Sequence, residues 1–394
     1  ARFQGLESAG IQLFFNGPGS FTPDDRYLLG ETPEVADLFV ACGFNSIGIQ
    51  SAGGAGKVLA EWIVRGRPPM DLWDVDIRRT FSFQSNEEFL RERTTETLGL
   101  LYDMHWPHRQ YATGRNVFLS PLHQKLLDSG AVMGEVAGFE RPNWYAFAGE
   151  SKYRYTYGKP NWFEACQREC ELVQNSVALF DQSSYPIFKV VGPEAMEFLN
   201  YLSANQVDVK PGEIVYTQWL NESGGIESDV TITRLSSEEF MVVGACASSR
   251  RDYYWMRQHS QTFDCLIKPD EELCILGVMG PKSRELLAGL MKSPDSIHRL
   301  DYYSSALIEL SGIGVRANRL SYVGELGYEL YVDRQEVGPL VDLISQCETD
   351  IEVGLAGFHA MNACRMEKGY RHWGHDIHDH IDPYSAGLSF VVNM

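Results

Sequence analysis

Four stretches of this sequence put reactive side chains close enough together to do chemistry. YTQWLNESGGIESDVTITRL (216–235) sets Tyr216 and Asp229 on two strand-like runs joined by the turn NESGG, with Asp229 where the second run begins. A carboxylate there is an acid–base candidate, although beside a Gly-rich turn it is usually a turn or capping residue. RLSYVGELGYELYV (319–332) holds Glu325 and Glu329 around two glycines. A carboxylate at such a bend could grip a ring bearing N–H donors; the plainer reading is a solvated hairpin tip. CRMEKGYRHWGHDIHDHIDP (364–383) is the densest polar run, with Arg365, Glu367, Arg371 and histidines at 372, 375, 378 and 380. That histidine spacing is not a standard zinc pattern, so no metal is expected, and a loop with solvated histidines is the preferred reading. GFNSIGIQSAGGAGKVLAEWIVRG (43–66) looks at first like a phosphate loop. Ser51 stands where that motif needs its first glycine, and Val58 follows Lys57 where a metal-holding hydroxyl belongs. What remains is a strand, a flexible Gly-rich loop and a helix from Gly56. Its free N–H groups suit an anionic or carbonyl-rich cofactor edge.

The elements that must position these groups follow from patterning. The chain has 394 residues, 44% hydrophobic and 22% charged, enough for several domains of a soluble globular protein. A net charge of −19 argues against nucleic acid or an anionic membrane as partner. No apolar run is long enough to span a bilayer. Eight cysteines without a CxxC pair suit a reducing compartment; Cys166 and Cys170 sit at helical spacing and read as packing residues. Residues 1–80 read as strand, turn, strand, loop and helix. Residues 81–165 look irregular and connecting, with a helix near 87–101. From 166 an α/β pattern begins, with an internal echo. FKVVGPEAMEFLNYL (188–202) and LGVMGPKSRELLAGL (276–290) are each a β-run, Gly-Pro and an amphipathic helix, 88 positions apart, as a duplicated α/β unit would be. The chain opens without Met, carries no targeting pattern, and closes on GLSFVVNM, which reads as strand. It is expected to be the middle of a longer protein.

These residues carry a family resemblance. FNGPGSFTPDDRYLLGETPEVADLFVACGFNSIGIQSAGGAGKVLAEWIVRGRPPMDLWDVDIRR resembles the end of the flavin domain of dimethylglycine and sarcosine dehydrogenases, and GRNVFLSPLHQKLLDSGAVMGEVAGFERPNWY their linking domain. GGIESDVTITRL, SYVGELGYELY and RMEKGYRHWGHDI resemble their tetrahydrofolate module, shared with the aminomethyltransferase (T-protein) of glycine cleavage. The resemblance implies a multidomain α/β and α+β fold. Residues 1–80 end an amino-acid-oxidase-like flavin domain, 81–165 link, and 166–394 form a T-protein-like module of duplicated α/β units. It implies FAD beside Gly48, Ile49, Gln50, Ser51 and the FTPD segment at Pro23. It places tetrahydrofolate among Tyr216, Glu325, Tyr328, Arg365 and Trp373, with Asp229 as the catalytic proton acceptor. The implied activity is oxidation of a small N-methylated amino acid, its one-carbon unit passing to tetrahydrofolate, in a mitochondrial matrix or bacterial cytoplasm. The G-x-G-x-x-G dinucleotide motif of such enzymes is absent from the sequence, so an upstream segment or partner chain is expected to supply the rest of the FAD site. Two alternatives share the architecture: the regulatory subunit of pyruvate dehydrogenase phosphatase, which resembles 114–145 equally, and a stand-alone folate-dependent aminomethyltransferase or demethylase.

Overall fold

The computed structural model describes residue 5, residues 8–147 and residues 152–393. Near the start, β1 (Leu28–Glu31) and β2 (Phe39–Cys42) form an antiparallel ribbon, followed by α1 (Gly48–Arg65). The expected flexible loop is therefore the first half of a helix. Each helical glycine costs about 1 kcal/mol relative to alanine. Yet Gly53, Gly54 and Gly56 lie on open faces, and burial of Trp62 (2% exposed) against the ribbon holds the helix. Gly30, at φ 112°, is where that indole lands; a Cβ there would overlap the ring.

The linking segment is more regular than its composition suggests. α2 (Glu87–Leu100) is capped by the Asn86 side chain, which accepts from the N–H groups of Glu88 and Phe89. β3 (Phe118–Leu119), α3 (His123–Asp128), β4 (Ala131–Val136) and β5 (Phe139–Tyr145) follow, with sheet order β3-β5-β4. α4 (Phe163–Asn175) leads into the main body.

That body is a duplication. The first unit runs β6 (Val177–Asp181), β7 (Ile187–Val191), α5 (Ala195–Leu202), β8 (Ile214–Leu220), β9 (Ile226–Arg234), β10 (Glu239–Val243) and α6 (Ser249–His259). The second runs β11 (Leu266–Pro269), β12 (Leu273–Met279), α7 (Ser283–Gly289), a short α8 (Asp295–His298), β13 (Ser305–Leu310), β14 (Ile313–Asn318), β15 (Gly327–Asp333) and α9 (Val337–Ser345). Both Gly-Pro segments are strand–turn–helix junctions, as expected. The correspondence extends to topology: one sheet is ordered β11-β7-β10-β9-β8, and the other β13-β14-β15-β12-β6, with β16 (Val353–Leu355) added at the β6 edge. The units exchange their first strands. β11, from the second, pairs with β7; β6, from the first, pairs with β12.

Each sheet covers its own apolar core, and a third cluster containing Ile187, Met241, Ile275 and Tyr331 lies between the two sheets. The sheets are also joined by polar bonds: Asn318 Nδ2 donates to Thr233 Oγ1 at 3.0 Å, and the N–H of Ile214 to the Tyr303 carbonyl at 2.8 Å. α10 (Phe358–Glu367) packs on α4 and carries the polar run after it across the front of the sheets. The chain's end is not a strand: residues Ser389–Val391 make one tight helical turn, and Met394 lies outside the described residues. Among the described residues no helix is long and apolar enough to cross a membrane.

Candidate functional site

Between the two sheets lies a cavity of about 360 Å³, walled by Tyr185, Tyr216, Tyr302, Tyr303, Tyr322, Tyr370, Trp373 and Phe390. One acid enters from each half. Asp229 is the fourth residue of β9 rather than its start, directly opposite Gln218 on β8. Gln218 Nε2 donates to Asp229 Oδ1 at 2.8 Å. Burial raises the Asp229 pKa to about 6, moderated by the hydrogen bonds from Gln218 and Tyr216. Glu329, third in β15, comes from the other sheet. Tyr331 Oη donates to Glu329 Oε2 at 2.7 Å, yet burial still pushes this carboxyl above its ordinary value.

Gln182 stands beside them and is 0% exposed; neither atom of its amide group makes a hydrogen bond of full geometry, although the amide lies near enough to Glu329 to moderate that carboxyl's upward shift. A buried amide with neither function fully paired is costly unless something else pairs with it. Gly277 makes room for it, since a Cβ there would overlap Gln182 Oε1. Burial and its cationic neighbours lower the His372 pKa to about 3, so this ring on the wall is neutral at pH 7. Lys368 is exposed at the rim.

The structure brings Tyr216, Asp229 and Trp373 together here, but not the other three residues expected with them. Glu325 lies in the loop before β15, where Lys368 Nζ donates to it at 3.2 Å. Tyr328 is fully buried on the far face of β15, its hydroxyl accepting from Arg284 Nε at 2.9 Å. Strand alternation sends neighbours to opposite faces, so Glu329, not Tyr328, reaches the cavity. Arg365 is buried behind the wall. It donates to the Tyr370 carbonyl at 2.9 Å and pairs with Asp376, and so holds the loop that carries Tyr370–Trp373. Trp373 Nε1 donates to the Ile226 carbonyl at 2.9 Å, tying that loop to the strand of Asp229. The histidines are not uniformly solvated: His375 is exposed, while His372 and His378 are half-buried.

A second constellation lies at the start of α1. The N–H of Thr22 donates to Asn45 Oδ1 at 2.8 Å, and the N–H of Asn45 to the Ser20 carbonyl at 3.0 Å. These bonds hold the turn at Pro23 beside the first helical turn, Gly48, Ile49, Gln50 and Ser51. The opening N–H groups of a helix have no intrahelical partner, and Ile49 is 100% exposed.

A pair of strand-exchanged α/β units enclosing an acidic aromatic cavity, preceded by a ribbon-and-helix segment, has the form of a T-protein-type module set behind a flavoprotein segment. Residues 122–394 match the GCVT N-terminal domain, and residues 65–120 the FAD dependent oxidoreductase central domain. The chain belongs to the GCVT family, in the branch that joins this domain to an FAD-dependent oxidoreductase and includes the sarcosine and dimethylglycine dehydrogenases. It is 43% identical to 4-methylaminobutanoate oxidase (formaldehyde-forming) of Paenarthrobacter nicotinovorans, over 99% of this chain and 48% of that protein. Mitochondrial sarcosine dehydrogenase of Mus musculus is 34% identical over 99% of this chain and 47% of its own length. The chain thus spans about half the length of these curated relatives. The glycine cleavage aminomethyltransferase of Bartonella henselae shares the fold, with a TM-score of 0.60 at 24% identity over 71% of this chain and 70% of that one.

Proposed function

We propose that this chain forms the tetrahydrofolate-binding module and the end of the flavin domain of an FAD-dependent oxidoreductase acting on a small N-methylated amino acid. The observation that carries the proposal is the meeting of Asp229 and Glu329, one from each sheet, in a single aromatic cavity. A reduced pterin presents N–H donors on a flat ring, and the cavity offers two carboxylates, the incompletely paired amide of Gln182 and stacking tyrosines. Tetrahydrofolate, when bound, supplies a nucleophilic amine that takes up the one-carbon unit. Glu329 and Gln182 hold the ring edge by hydrogen bonds. Asp229, its pKa near 6, is ionised at neutral pH and accepts a proton at its carboxylate. Lys368 at the rim meets a ligand carboxylate.

The test is titration of the purified chain with tetrahydrofolate or a stable reduced analogue, followed by Trp and Tyr fluorescence. Glu329→Gln is expected to weaken binding by about 10–100-fold, as loss of one charge-assisted bond does. Glu309→Gln, exposed on β13 and outside the cavity, should change it by less than about twofold. Equal losses in both variants, or no binding by the parent chain, would remove the reading and leave the regulatory-subunit alternative in front.

At the flavin end, FAD supplies the oxidising capacity. The positive dipole end of α1 stabilises negative charge beside Gly48–Ser51, where the Ser51 N–H already donates to the Ile47 carbonyl at 3.0 Å and the N–H groups before it open the helix. Ile11, Leu13, Phe14 and Phe15 are each at least 75% exposed, which supports the view that further polypeptide covers this end in the working enzyme. The adenine and pyrophosphate contacts belong to a motif this sequence lacks. The isolated chain is therefore expected to take up little FAD; a purified chain carrying one equivalent, read from its flavin absorbance, contradicts that division of labour.

A further inference from the structure

Asp379 has an oxygen with nothing to bind. The residue is 9% exposed, and Oδ1 has no hydrogen-bond partner, whereas Oδ2 faces Arg251 at 3.5 Å. Two imidazole nitrogens approach Oδ1, His378 Nδ1 and His380 Nε2, each at 4.0 Å, beyond hydrogen-bond length. A second carboxylate comes from far away in sequence: Asp71, in the segment after α1, offers an oxygen that lies with a ring nitrogen of His378 and an oxygen of Asp379 inside a 4.8 Å span. Sequence spacing could not show this set, because the histidine run supplies only part of it.

We propose that Asp71, His378 and Asp379, with His380 alongside, bind a divalent transition metal ion, Zn²⁺ foremost. Mixed imidazole and carboxylate donors suit that ion. Tetrahedral ligands about 2.0–2.1 Å from zinc stand about 3.3 Å apart, so the observed spacings close by rotation of Asp71 and His378. The Nδ1 atom of His378 accepts a 3.2 Å bond from the His380 N–H, so it carries a lone pair rather than a proton, and a metal bond would replace that contact. Arg251, which donates to Glu227, holds its charge 3.5 Å from the other oxygen of Asp379 and so favours Oδ1 as the oxygen that faces the ligand space, an outer contact of the kind that orients metal ligands.

The position suggests what the ion does. The Asp379 carbonyl accepts from Asn221 Nδ2 at 2.9 Å and packs on Gly225, where any Cβ would overlap it. The N–H of Ile226 donates to the Ile381 carbonyl at 3.0 Å. Asp379 therefore sits on the turn that feeds β9, the strand of Asp229, while Asp71 belongs to the flavin-side segment. A metal joining them clamps that segment to the cavity strand, with His380 or a water as the fourth donor beside the three residues.

The experiment uses the 394-residue chain after chelator treatment. It is titrated calorimetrically with Zn²⁺, and with Co²⁺ to read ligand-field absorbance. One equivalent is expected to bind with Kd below about 10 µM and to raise Tm. Asp71→Asn and His378→Gln replace accessible ligands and should each weaken binding by about tenfold or more, while leaving the metal-free Tm and circular dichroism unchanged. Failure of the parent to bind below about 100 µM, or binding that neither variant alters, overturns the assignment. The second outcome would locate the metal on other groups, the eight free thiols first among them.

Discussion

Asp229→Asn is expected to lower transfer of the one-carbon unit by about 10²–10⁴-fold, the usual cost of losing one acid–base group. On the proposed function, amine-dependent flavin reduction should be nearly unchanged, because the flavin is proposed to lie at α1 and the Pro23 turn, in a different part of the chain. Asparagine keeps the shape and can still accept the bond from Gln218, but it cannot take a proton. Stopped-flow flavin absorbance and a formaldehyde assay, on the complete protein that carries this chain, separate the two steps; formaldehyde should escape as transfer fails. If both steps fall together, Asp229 is structural. If neither falls, its assignment is wrong and the regulatory-subunit reading gains. The pH dependence has a defined sign. The proton acceptor must be ionised, so transfer by the parent protein should rise with pH through about 6 and level off above it. Stability moves oppositely. The folded pKa, about 6, exceeds the ordinary 3.8, so the folded state binds this proton more tightly than the unfolded chain. Below 3.8 both states hold it; as pH rises through about 6 the fold must keep a buried anion, and up to ~2–3 kcal/mol is lost. Asp229→Asn should therefore raise Tm at pH 7–8, with the gain vanishing near pH 4. A variant inactive in transfer yet more stable than its parent separates a functional carboxylate from a structural one.

The duplicated units were legible because their punctuation is local. Gly-Pro between a β-run and an amphipathic helix needs no tertiary contact to be recognised, and the two copies keep their offset. Strand exchange was not legible, since β6 and β11 look alike as short apolar runs and only packing chooses the sheet each joins. The cavity was half legible. Tyr216 and Asp229 stood out as polar residues on strand-like runs. Glu329 was within reach too: in GYELYV the apolar positions Tyr328, Leu330 and Val332 share the core face and are at most 1% exposed, which sends Glu329 to the opposite face. Period-two alternation would have favoured it over Glu325. Gln182 and Asp71 carried no such signal. The first matters because Gly277, on a neighbouring strand, leaves space for its amide; the second because a loop 300 positions away supplies its partners. The helix over Gly48–Arg65 was misjudged at its start for a related reason. Local propensity counts the glycines, and only the folded ribbon shows that Trp62 has somewhere to go.

Gly192→Ala and Gly280→Ala are each expected to destabilise the chain by about 3–5 kcal/mol, among the largest effects of any single methyl group here. Both residues lie at positive φ, 150° and 135°, and a side chain in such a conformation costs about 1–3 kcal/mol before any contact is considered. The contacts add to that. A Cβ on Gly192 would overlap the carbonyl oxygen of Asp264, and one on Gly280 that of Ser176. Backbone cannot move aside as a flexible side chain can, so overpacking adds about another 1–3 kcal/mol. Ser176 immediately precedes β6, and Asp264 lies two residues before β11. Each Gly-Pro turn is thus wedged against the root of the strand that the other half sends across. Backbone bonds follow the same pattern: the N–H of Glu194 donates to the Asp264 carbonyl at 3.3 Å, and that of Lys282 to the Ser176 carbonyl at 3.4 Å. Thermal or urea unfolding of the two variants should show similar losses, a Tm drop on the order of 10 °C for a domain of this size. A loss under about 1 kcal/mol in either variant would mean that its turn relaxes freely and that the two junctions are not equivalent. If both losses appear, neither half has an independent fold to fall back on, because each sheet depends on a strand anchored beneath the other unit's turn. The cavity acids, one from each sheet, are then held at a fixed distance by the same exchange that joins the halves.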